Sequence, residues 1–406
     1  MGRLNSTLKS LKQKRIYWDL LHCEKASSDI SLTGKHVKVT GFFSSSISLG
    51  QAARRQADLI ASIGFDVQRR DISQLMIPNL NKLQDFDGSK HGSFSRQESG
   101  ISVFHMNPPE APKAIRLTAD KTKDYRVGQW IFEIPPAPNF WNSVSTLFHE
   151  IWTPTQHSAG IIKECSQCPV YVLPLPLTLT PATSQMRSKL SIRDDTFVVL
   201  IAYDVNSCIE RKNPYAAIKA FKSAFDQDQN VVLLVKTSGL NSFANAKNDL
   251  SRAVGNDPRI HVITDIISDE DMAGLVDTAD LILSLHRAEG FGFMLADGMA
   301  RGKPVIATGW SGNMDFMTKE NSHIVPYKMI TVSDDQGIYS KGEWADPDID
   351  AAIEALRVCY KETEHTQLLG NQAKLDMEKF LKTDAAEKYG KQLNEIFTNF
   401  GHSVNG

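Results

Sequence analysis

The chain has 406 residues, 41% of them hydrophobic and 23% charged, with a net charge of −2. That length is too great for one ordinary core and sets two domains as the expectation. The near-neutral balance excludes a dedicated nucleic-acid binder, which would carry a broad basic excess. No apolar run approaches the roughly 18 residues that a bilayer span needs, and the basic N-terminus lacks the apolar stretch of a signal peptide. Among five cysteines the only C-x-x-C is Cys165 and Cys168, which reads as reduced, structural thiols in a cytosolic protein.

Residues 1–35 form a basic, amphipathic helical extension. Arg3, Lys9, Lys12, Lys14, Arg15, Lys25 and Lys35 face only Asp19, Glu24 and Asp29, with Leu8, Leu11, Ile16, Trp18, Leu20 and Leu21 interleaved. Such a stretch either packs on the first domain or, through residues 1–25, rests on the cytoplasmic face of an anionic membrane. Strands are then predicted at 37–43, 65–69, 101–104, 125–133, 151–153 and 170–173, with helices at 49–63, 140–149 and 156–164 and a polar excursion at 75–99. The segment 174–184 is a linker. A second series follows, with strands at 196–202, 230–235, 260–264, 281–285 and 305–308 and helices at 214–226, 243–254, 269–279 and 293–301. From Asp348 to about Phe400 the chain is almost wholly helical. Strands separated by helices of this length imply right-handed βαβ crossovers and parallel sheets. The expectation is an α/β protein of two Rossmann-like domains facing across a cleft, at 36–183 and 184–380, with a C-terminal helix at 381–406 returning to the first.

Five stretches at strand ends carry the chemistry. In His286-Arg-Ala-Glu289-Gly-Phe-Gly292-Phe a strand breaks at glycines and a helix begins, which offers backbone N–H groups and a helix dipole to an anion such as a diphosphate. Gly41-Phe-Phe-Ser-Ser-Ser-Ile-Ser-Leu-Gly50 is a second strand–loop–helix turn, readable as a ligand loop or a plain β–α connection. His105-Met-Asn107 follows a buried strand, where a histidine is either a core residue or a functional one. Trp130-Ile-Phe-Glu133-Ile-Pro-Pro ends on a carboxylate that acts on a substrate or anchors a turn. In Asp204-Val-Asn206-Ser207-Cys-Ile-Glu-Arg211-Lys212 two adjacent cations suit a leaving diphosphate, and Lys236 is a weaker candidate of the same kind. Asp226-Gln-Asp228 and Asp346-Pro-Asp348 resemble metal-binding pairs, but their places at helix ends favour capping, so no metal is assigned.

Taken together, Glu289-Gly-Phe-Gly-Phe to Asp297, then Gly302-Lys-Pro-Val-Ile-Ala-Thr-Gly309-x-Ser-Gly312-Asn, resemble glycosyltransferase family 4, a retaining family with the GT-B fold. Asp204-x-Asn-Ser207 with Arg211-Lys-Asn-Pro214, Tyr125-Arg-x-Gly-x-Trp-x-x-Glu133 and His149-Glu-Ile-Trp152-x-Pro154 are similar to a bacterial subgroup that builds lipopolysaccharide or surface polysaccharide. The likeness runs from about Val37 to the end. It implies that Glu289 is the first acid of an E-x7-E motif beside the donor sugar. Gly290, Phe291, Gly292 and Phe293 would touch sugar and diphosphate. Lys212 and Arg211 would clamp the diphosphate, Gly50 would approach the phosphates, and His105 would lie near the transferred sugar. Asp297 stands where relatives have the second glutamate, and Asn206 where many have an arginine. The base would sit beside Ile266, and Asn107, Trp130 and Glu133 would be on the acceptor side.

The implied reaction is metal-independent hexosyl transfer, with retention, from a nucleoside-diphosphate sugar to a glycan or glycolipid. GDP-mannose is favoured over a UDP-sugar. Glu289 is not assigned as a covalent nucleophile. Both Glu289→Ala and Lys212→Ala are expected to abolish transfer with the fold intact. The rival readings are a GT-B protein that binds a sugar nucleotide without transferring it, a GT-B phosphorylase or epimerase, and a nicotinamide-dependent oxidoreductase. The last would need G-x-G-x-x-G after the first strand, and the spacing of Gly41 and Gly50 does not match it.

Overall fold

The computed structural model describes residues 13–45, 47–77, 98–118, 123–183, 185–227, 229–243 and 245–401. Most of the 75–99 excursion and the first twelve residues, with Arg3, Leu8, Lys9, Leu11 and Lys12, lie outside them. The chain divides into two units. The first comprises residues 1–132, 137–176 and 381–406, and the second 133–136 and 177–380. The boundary after the first sheet thus falls at Pro176 and Leu177 rather than at 183, and a short piece around Glu133 groups with the second unit.

In the first unit, β1 (His36–Gly41), β2 (Asp66–Asp71), β3 (Ile101–His105), β4 (Tyr125–Gln129), β5 (Glu150–Thr153) and β6 (Val170–Val172) form one parallel sheet in the order β2-β1-β3-β4-β5-β6. Val37 and Val39, Ile101 and Val103, and Val127 alternate onto one face. There they pack on Ala53, Ala57 and Ile60 of the Ser48–Ser62 helix and on Tyr389, Leu393 and Ile396 of the Ala385–Phe400 helix. The C-terminal helix is therefore part of the first unit's core. It is also tied by charge: the buried Glu150 accepts from Tyr125 Oη at 3.0 Å, Trp152 Nε1 at 2.5 Å and Gln392 Nε2 at 2.9 Å. The Tyr125 and Glu150–Trp152 pieces of the subgroup pattern are accounted for by this anchor.

Removing residues 385–401 is expected to abolish cooperative melting of the first unit. Each of Tyr389, Leu393, Ile396 and Phe397 contributes about 1.5–3 kcal/mol on burial, against a domain total of about 5–15 kcal/mol. Calorimetry of intact and truncated protein checks this, and two equal sets of transitions would overturn it.

The N-terminal segment joins the same unit. Residues 13–21 are helical, Asp19 accepts from Arg116 Nε at 3.0 Å, and that guanidinium lies 5.1 Å over the Trp18 ring. The Cys23 thiol donates to Pro112 O at 3.0 Å. Arg116 and Pro112 belong to the Ala111–Thr118 helix, which the sequence reading omitted. A proline in a first turn, as Pro112 is here, is compatible with a helix.

The second unit repeats the arrangement. Its strands β7 (Phe197–Asp204), β8 (Val231–Ser238), β9 (Ile260–Ile263), β10 (Leu281–Ser284), β11 (Val305–Thr308) and β12 (His323–Val325) are parallel in the order β12-β11-β10-β7-β8-β9. Ile201, Leu233, Val235 and Leu283 pack on Ile218 and Phe221 of the Pro214–Ala224 helix and on Leu356 and Cys359 of the Ile349–Lys361 helix. An antiparallel pair, β13 (Tyr327–Thr331) and β14 (Glu343–Pro347), was not predicted. The all-helical tail is resolved into Ile349–Lys361, Thr363–Glu378 and Ala385–Phe400, with a π-helical stretch at Lys379–Asp384 before the last. Among the described residues, no helix is long and apolar enough to cross a membrane.

Candidate active site

β10 delivers the chain to the glycine turn. Gly292 takes φ +94°, a left-handed conformation that glycine adopts without a Cβ clash, and the Phe293–Ala300 helix begins after it. The turn is clasped from the side. Ser311 Oγ accepts from Glu289 N at 2.7 Å, and Gly312 N donates to Glu289 O at 2.8 Å. Asn313 Oδ1 faces His286 Nε2 at 3.1 Å, while Ser284 Oγ meets His286 Nδ1 at 3.0 Å. Burial lowers the pKa of His286, so its ring stays neutral at neutral pH.

Arg211 and Lys212 end the short helix Ile209–Lys212. Asn213 follows in a left-handed conformation and donates from Nδ2 to Leu285 O at 2.9 Å, and Arg287 N donates to Arg211 O at 2.7 Å. These bonds bring the cations to Glu289. Lys212 Nζ stands 2.5 Å from Glu289 Oε1, and Arg211 NH1 stands 3.4 Å from Glu289 Oε2. Burial alone would raise the Glu289 pKa, but Lys212 and then Arg211 outweigh it and hold the carboxyl at about 2.

The two cations differ. Arg211 is buried, with Nε and NH2 donating to Ser207 O and NH1 to Ala288 O at 2.7 Å. Glu133 Oε1 lies 3.8 Å from NH1, and Tyr339 Oη donates to Glu133 Oε2 at 2.7 Å. Burial disfavours the charge on Arg211, yet Tyr339, Glu133 and Glu289 together raise its pKa above the ordinary value. Burial likewise pushes the Tyr339 pKa well up, so the phenol keeps its proton. The Lys212 side chain retains 20% exposure and is the cation able to reach a ligand.

Other expected donor residues are more scattered. Phe291 is buried, edge-on to Phe293 at 5.2 Å. Asp297 is half-buried on the same side of its helix as Phe293 and Met294. β8 runs on to Ser238, so Lys236 lies within the strand rather than beyond it, buried and donating to Thr237 O at 3.1 Å. Burial lowers its pKa. Ile266 is 59% exposed on the turn after β9. No hydrogen bond among the described residues links Lys236 or Ile266 to Glu289.

In the first unit, His105 ends β3, fully buried, with Nδ1 2.8 Å from Gln56 Oε1. Gly50 is explained by its own loop. A Cβ there would collide with Phe42 O and stand 2.8 Å from Ser45 Oγ, and its N–H already donates to Ile47 O. Asn107 Oδ1 accepts from Ile131 N at 2.9 Å and braces the chain beyond β4. The Trp130 ring is wholly buried, edge-on to Trp141 and Phe148. Glu133 is no strand-end acid, because β4 stops at Gln129 and the carboxylate is engaged by Tyr339 and Arg211.

Asp346 accepts from Arg287 NH2 at 3.1 Å and Asp348 caps the Ile349–Lys361 helix, while Asp228 lies outside the described residues. One further trio, Cys208, Glu210 and Asp334, places ligand atoms within 4.8 Å of one another. Its Cys208 thiol donates to Glu210 and is pushed far up in pKa by burial, and Asp334 is engaged by the N–H groups of Gln336, Gly337 and Tyr339.

A family model described as "Family 4 Glycosyltransferase in conflict systems" matches residues 161–372, more than half of the chain. The chain belongs to this family. The family 4 glycosyltransferase is similar in fold to HepE of Anabaena, solved with UDP and glucose (TM-score 0.64, 12% identity, 89% of this chain and 100% of that one). It is similar to sucrose-phosphate synthase of Thermosynechococcus elongatus (TM-score 0.64, 13% identity, 90% and 100%). It is also similar to a glycosyltransferase of Rickettsia africae (TM-score 0.65, 12% identity, 90% and 100%). No curated protein matches the chain in sequence. Membership in a glycosyltransferase family displaces the oxidoreductase reading.

Several residues that shape the glycosyltransferase's site were not singled out from sequence. His286, Ser311, Gly312 and Asn313 lay inside the quoted motifs, where polar residues flanking glycines were a usable signal. Tyr339 carried none.

Proposed function

We propose that the protein moves a hexosyl group, with retention and without a metal, from a nucleoside-diphosphate sugar to a hydroxyl of a glycan or glycolipid. The observation that carries the proposal is the Arg211–Glu289–Lys212 cluster beside the Gly292 turn. Lys212 leaves Glu289 for the departing diphosphate, whose developing charge is also met by the N–H groups that open the Phe293–Ala300 helix. Arg211 stays behind. Its donors are already engaged, so we assign it to holding Glu289 rather than to clamping phosphate. Before the donor binds, Lys212 and Arg211 hold the Glu289 carboxyl at about 2, so it is ionised. Its ionised oxygens suit the hydroxyls of the donor sugar. Asp297 is assigned to the ribose, Ile266 and Lys236 to the side of the base, and His105 to the transferred sugar.

The donor base is open to a direct choice. Solved structures of similar fold include complexes with UDP, whereas GDP-mannose and a lipopolysaccharide acceptor rest on the sequence resemblance alone, and membrane contact through residues 1–25 rests on their basic, amphipathic pattern. Thermal melting with a panel of UDP-, GDP- and ADP-sugars tests the proposal. One nucleotide class should stabilise the protein, by about 2.7 kcal/mol at a hundredfold excess over Kd, and release of its diphosphate should follow addition of acceptor. A panel without any shift defeats the donor assignment. Binding without turnover would favour the non-transferring reading.

A further inference from the structure

Arg211 NH1 lies between two carboxylates. Glu289 Oε2 is 3.4 Å away and Glu133 Oε1 is 3.8 Å away, and both acids belong to the second unit. Neither acid places the guanidinium. Its close bonds go to backbone carbonyls, from NH2 to Ser207 O at 2.9 Å and from NH1 to Ala288 O at 2.7 Å. The main chain therefore sets where Arg211 stands, and its charge is shared between the two acids.

Glu133 is itself held by the loop that joins β13 to β14. Tyr339 Oη donates to Glu133 Oε2 at 2.7 Å, and Oε1 is the oxygen on the side of Arg211. Burial keeps the proton on this phenol, so it stays a donor. The loop is pinned along its length. Asp334 accepts from the N–H groups of Gln336, Gly337 and Tyr339, the last at 2.7 Å. Gln336 Nε2 donates to Val205 O at 2.9 Å, in the same turn that offers Ser207 O to Arg211. Gly342 takes φ +116°, and a Cβ there would collide with Pro135 O and stand 2.8 Å from Ile134 Cγ2. Phenol, carboxylate and guanidinium thus form one braced line that ends at Glu289.

With Lys212 in place, two cations face two carboxylates and the cluster is balanced. Once Lys212 turns to the diphosphate, one cation is left between two acids and a net negative charge remains around Glu289. Glycosyl transfer builds positive charge on the donor sugar, in an oxocarbenium-like transition state. Fixed negative charge beside that sugar lowers the barrier. Without Glu133, Arg211 would neutralise Glu289 at that moment.

We propose that Glu133 and Tyr339 are positioning residues for transfer, which share the charge of Arg211 and so keep the charge of Glu289 available to the transition state. The inference rests on the glycosyl-transfer reading above. It also gives the β13–β14 hairpin a part in the reaction.

The test is steady-state diphosphate release by full-length variants, from UDP-glucose or the GDP-sugar if the panel selects it, with methyl glycosides or water as acceptor. Glu133→Gln keeps the shape and can still accept from Tyr339, but it loses the charge. Its kcat should fall about tenfold, a usual size for coupling between neighbouring groups, with the nucleotide-sugar KM within about twofold of the wild type. Glu133→Asp keeps the charge and should lose less, whereas a purely structural role would reverse that order. Tyr339→Phe should lower kcat on its own and add nothing to Glu133→Gln, because it acts through the same carboxylate. Unchanged kcat in Glu133→Gln, a loss confined to KM, or independent losses in the double variant overturns the proposal and leaves glycosyl transfer standing. If Glu133→Gln does not fold, ¹⁹F NMR of full-length protein with 3-fluorotyrosine at position 339 decides. Its signal should move when nucleotide sugar draws Lys212 from Glu289, and an unmoved signal overturns the proposal. A wild type without turnover of any nucleotide sugar overturns the glycosyl-transfer reading and this proposal together.

Discussion

Glu289→Ala is expected to abolish transfer and also to destabilise the second unit by about 3–5 kcal/mol, the usual cost of removing one partner from a buried ion pair. Lys212 loses its counter-charge, and the buried Arg211 is left with Glu133 at 3.8 Å. This revises the expectation that the variant keeps its fold intact. Lys212→Ala should behave differently. Glu289 keeps Arg211 at 3.4 Å, so stability falls by about 1–2 kcal/mol, whereas turnover falls by about 10²–10³-fold with the loss of the charge that meets the diphosphate. Denaturant melts and diphosphate release, measured on both variants, separate the roles. Glu289→Ala that melts like the wild type would refute the ion-pair account, and normal turnover in Lys212→Ala would refute the role of the lysine. The pH dependence follows from the same pair. The folded pKa of Glu289, about 2, lies below its ordinary 4.5. Its contribution is therefore complete above 4.5 and is lost as pH falls towards 2, and Glu289→Gln should remove that part of the acid sensitivity.

The parts of the site that could be read from sequence were those set by local grammar. Gly290 and Gly292 after an apolar strand announced a turn, and the adjacent Arg211 and Lys212 announced a positive end. The sequence could not show that the two cations have different fates. Arg211 is withdrawn from solvent by Glu133 and Tyr339, which come from distant stretches and meet it only through the fold. Gly50 was read towards phosphate, and its own loop uses it. In the fold, strands with continuous apolar runs were legible. The β13–β14 pair was not, because Tyr327–Thr331 is largely exposed and lacks a clean two-residue alternation.

Gly312→Ala should be as damaging as any change at the catalytic charges, although Gly312 bears no chemistry. Its Cα sits against the backbone of the glycine turn. A Cβ there would overlap Gly290 O, lie 2.6 Å from Gly290 C and stand 2.8 Å from Glu289 O. These are main-chain atoms, so no rotamer change relieves the overlap, and either the Ser311–Gly312 strap or the Glu289–Gly290 turn must move. The strap cannot move without breaking the bonds that Ser311 Oγ and Gly312 N make to Glu289. Moving the turn shifts the Glu289 carboxylate away from Lys212 and Arg211. Overpacking of this kind costs about 1–3 kcal/mol, and a displacement of about 1 Å at a reacting centre can cost 10²-fold in rate. We therefore expect Gly312→Ala to lower the melting temperature, to lose the stabilisation given by nucleotide sugar, and to reduce turnover at least a hundredfold while every charged residue is still present. Melts with and without the nucleotide sugar, together with the rate of diphosphate release, check this. Wild-type stabilisation by ligand in Gly312→Ala would mean that the turn tolerates displacement and that its geometry is not what binds the donor.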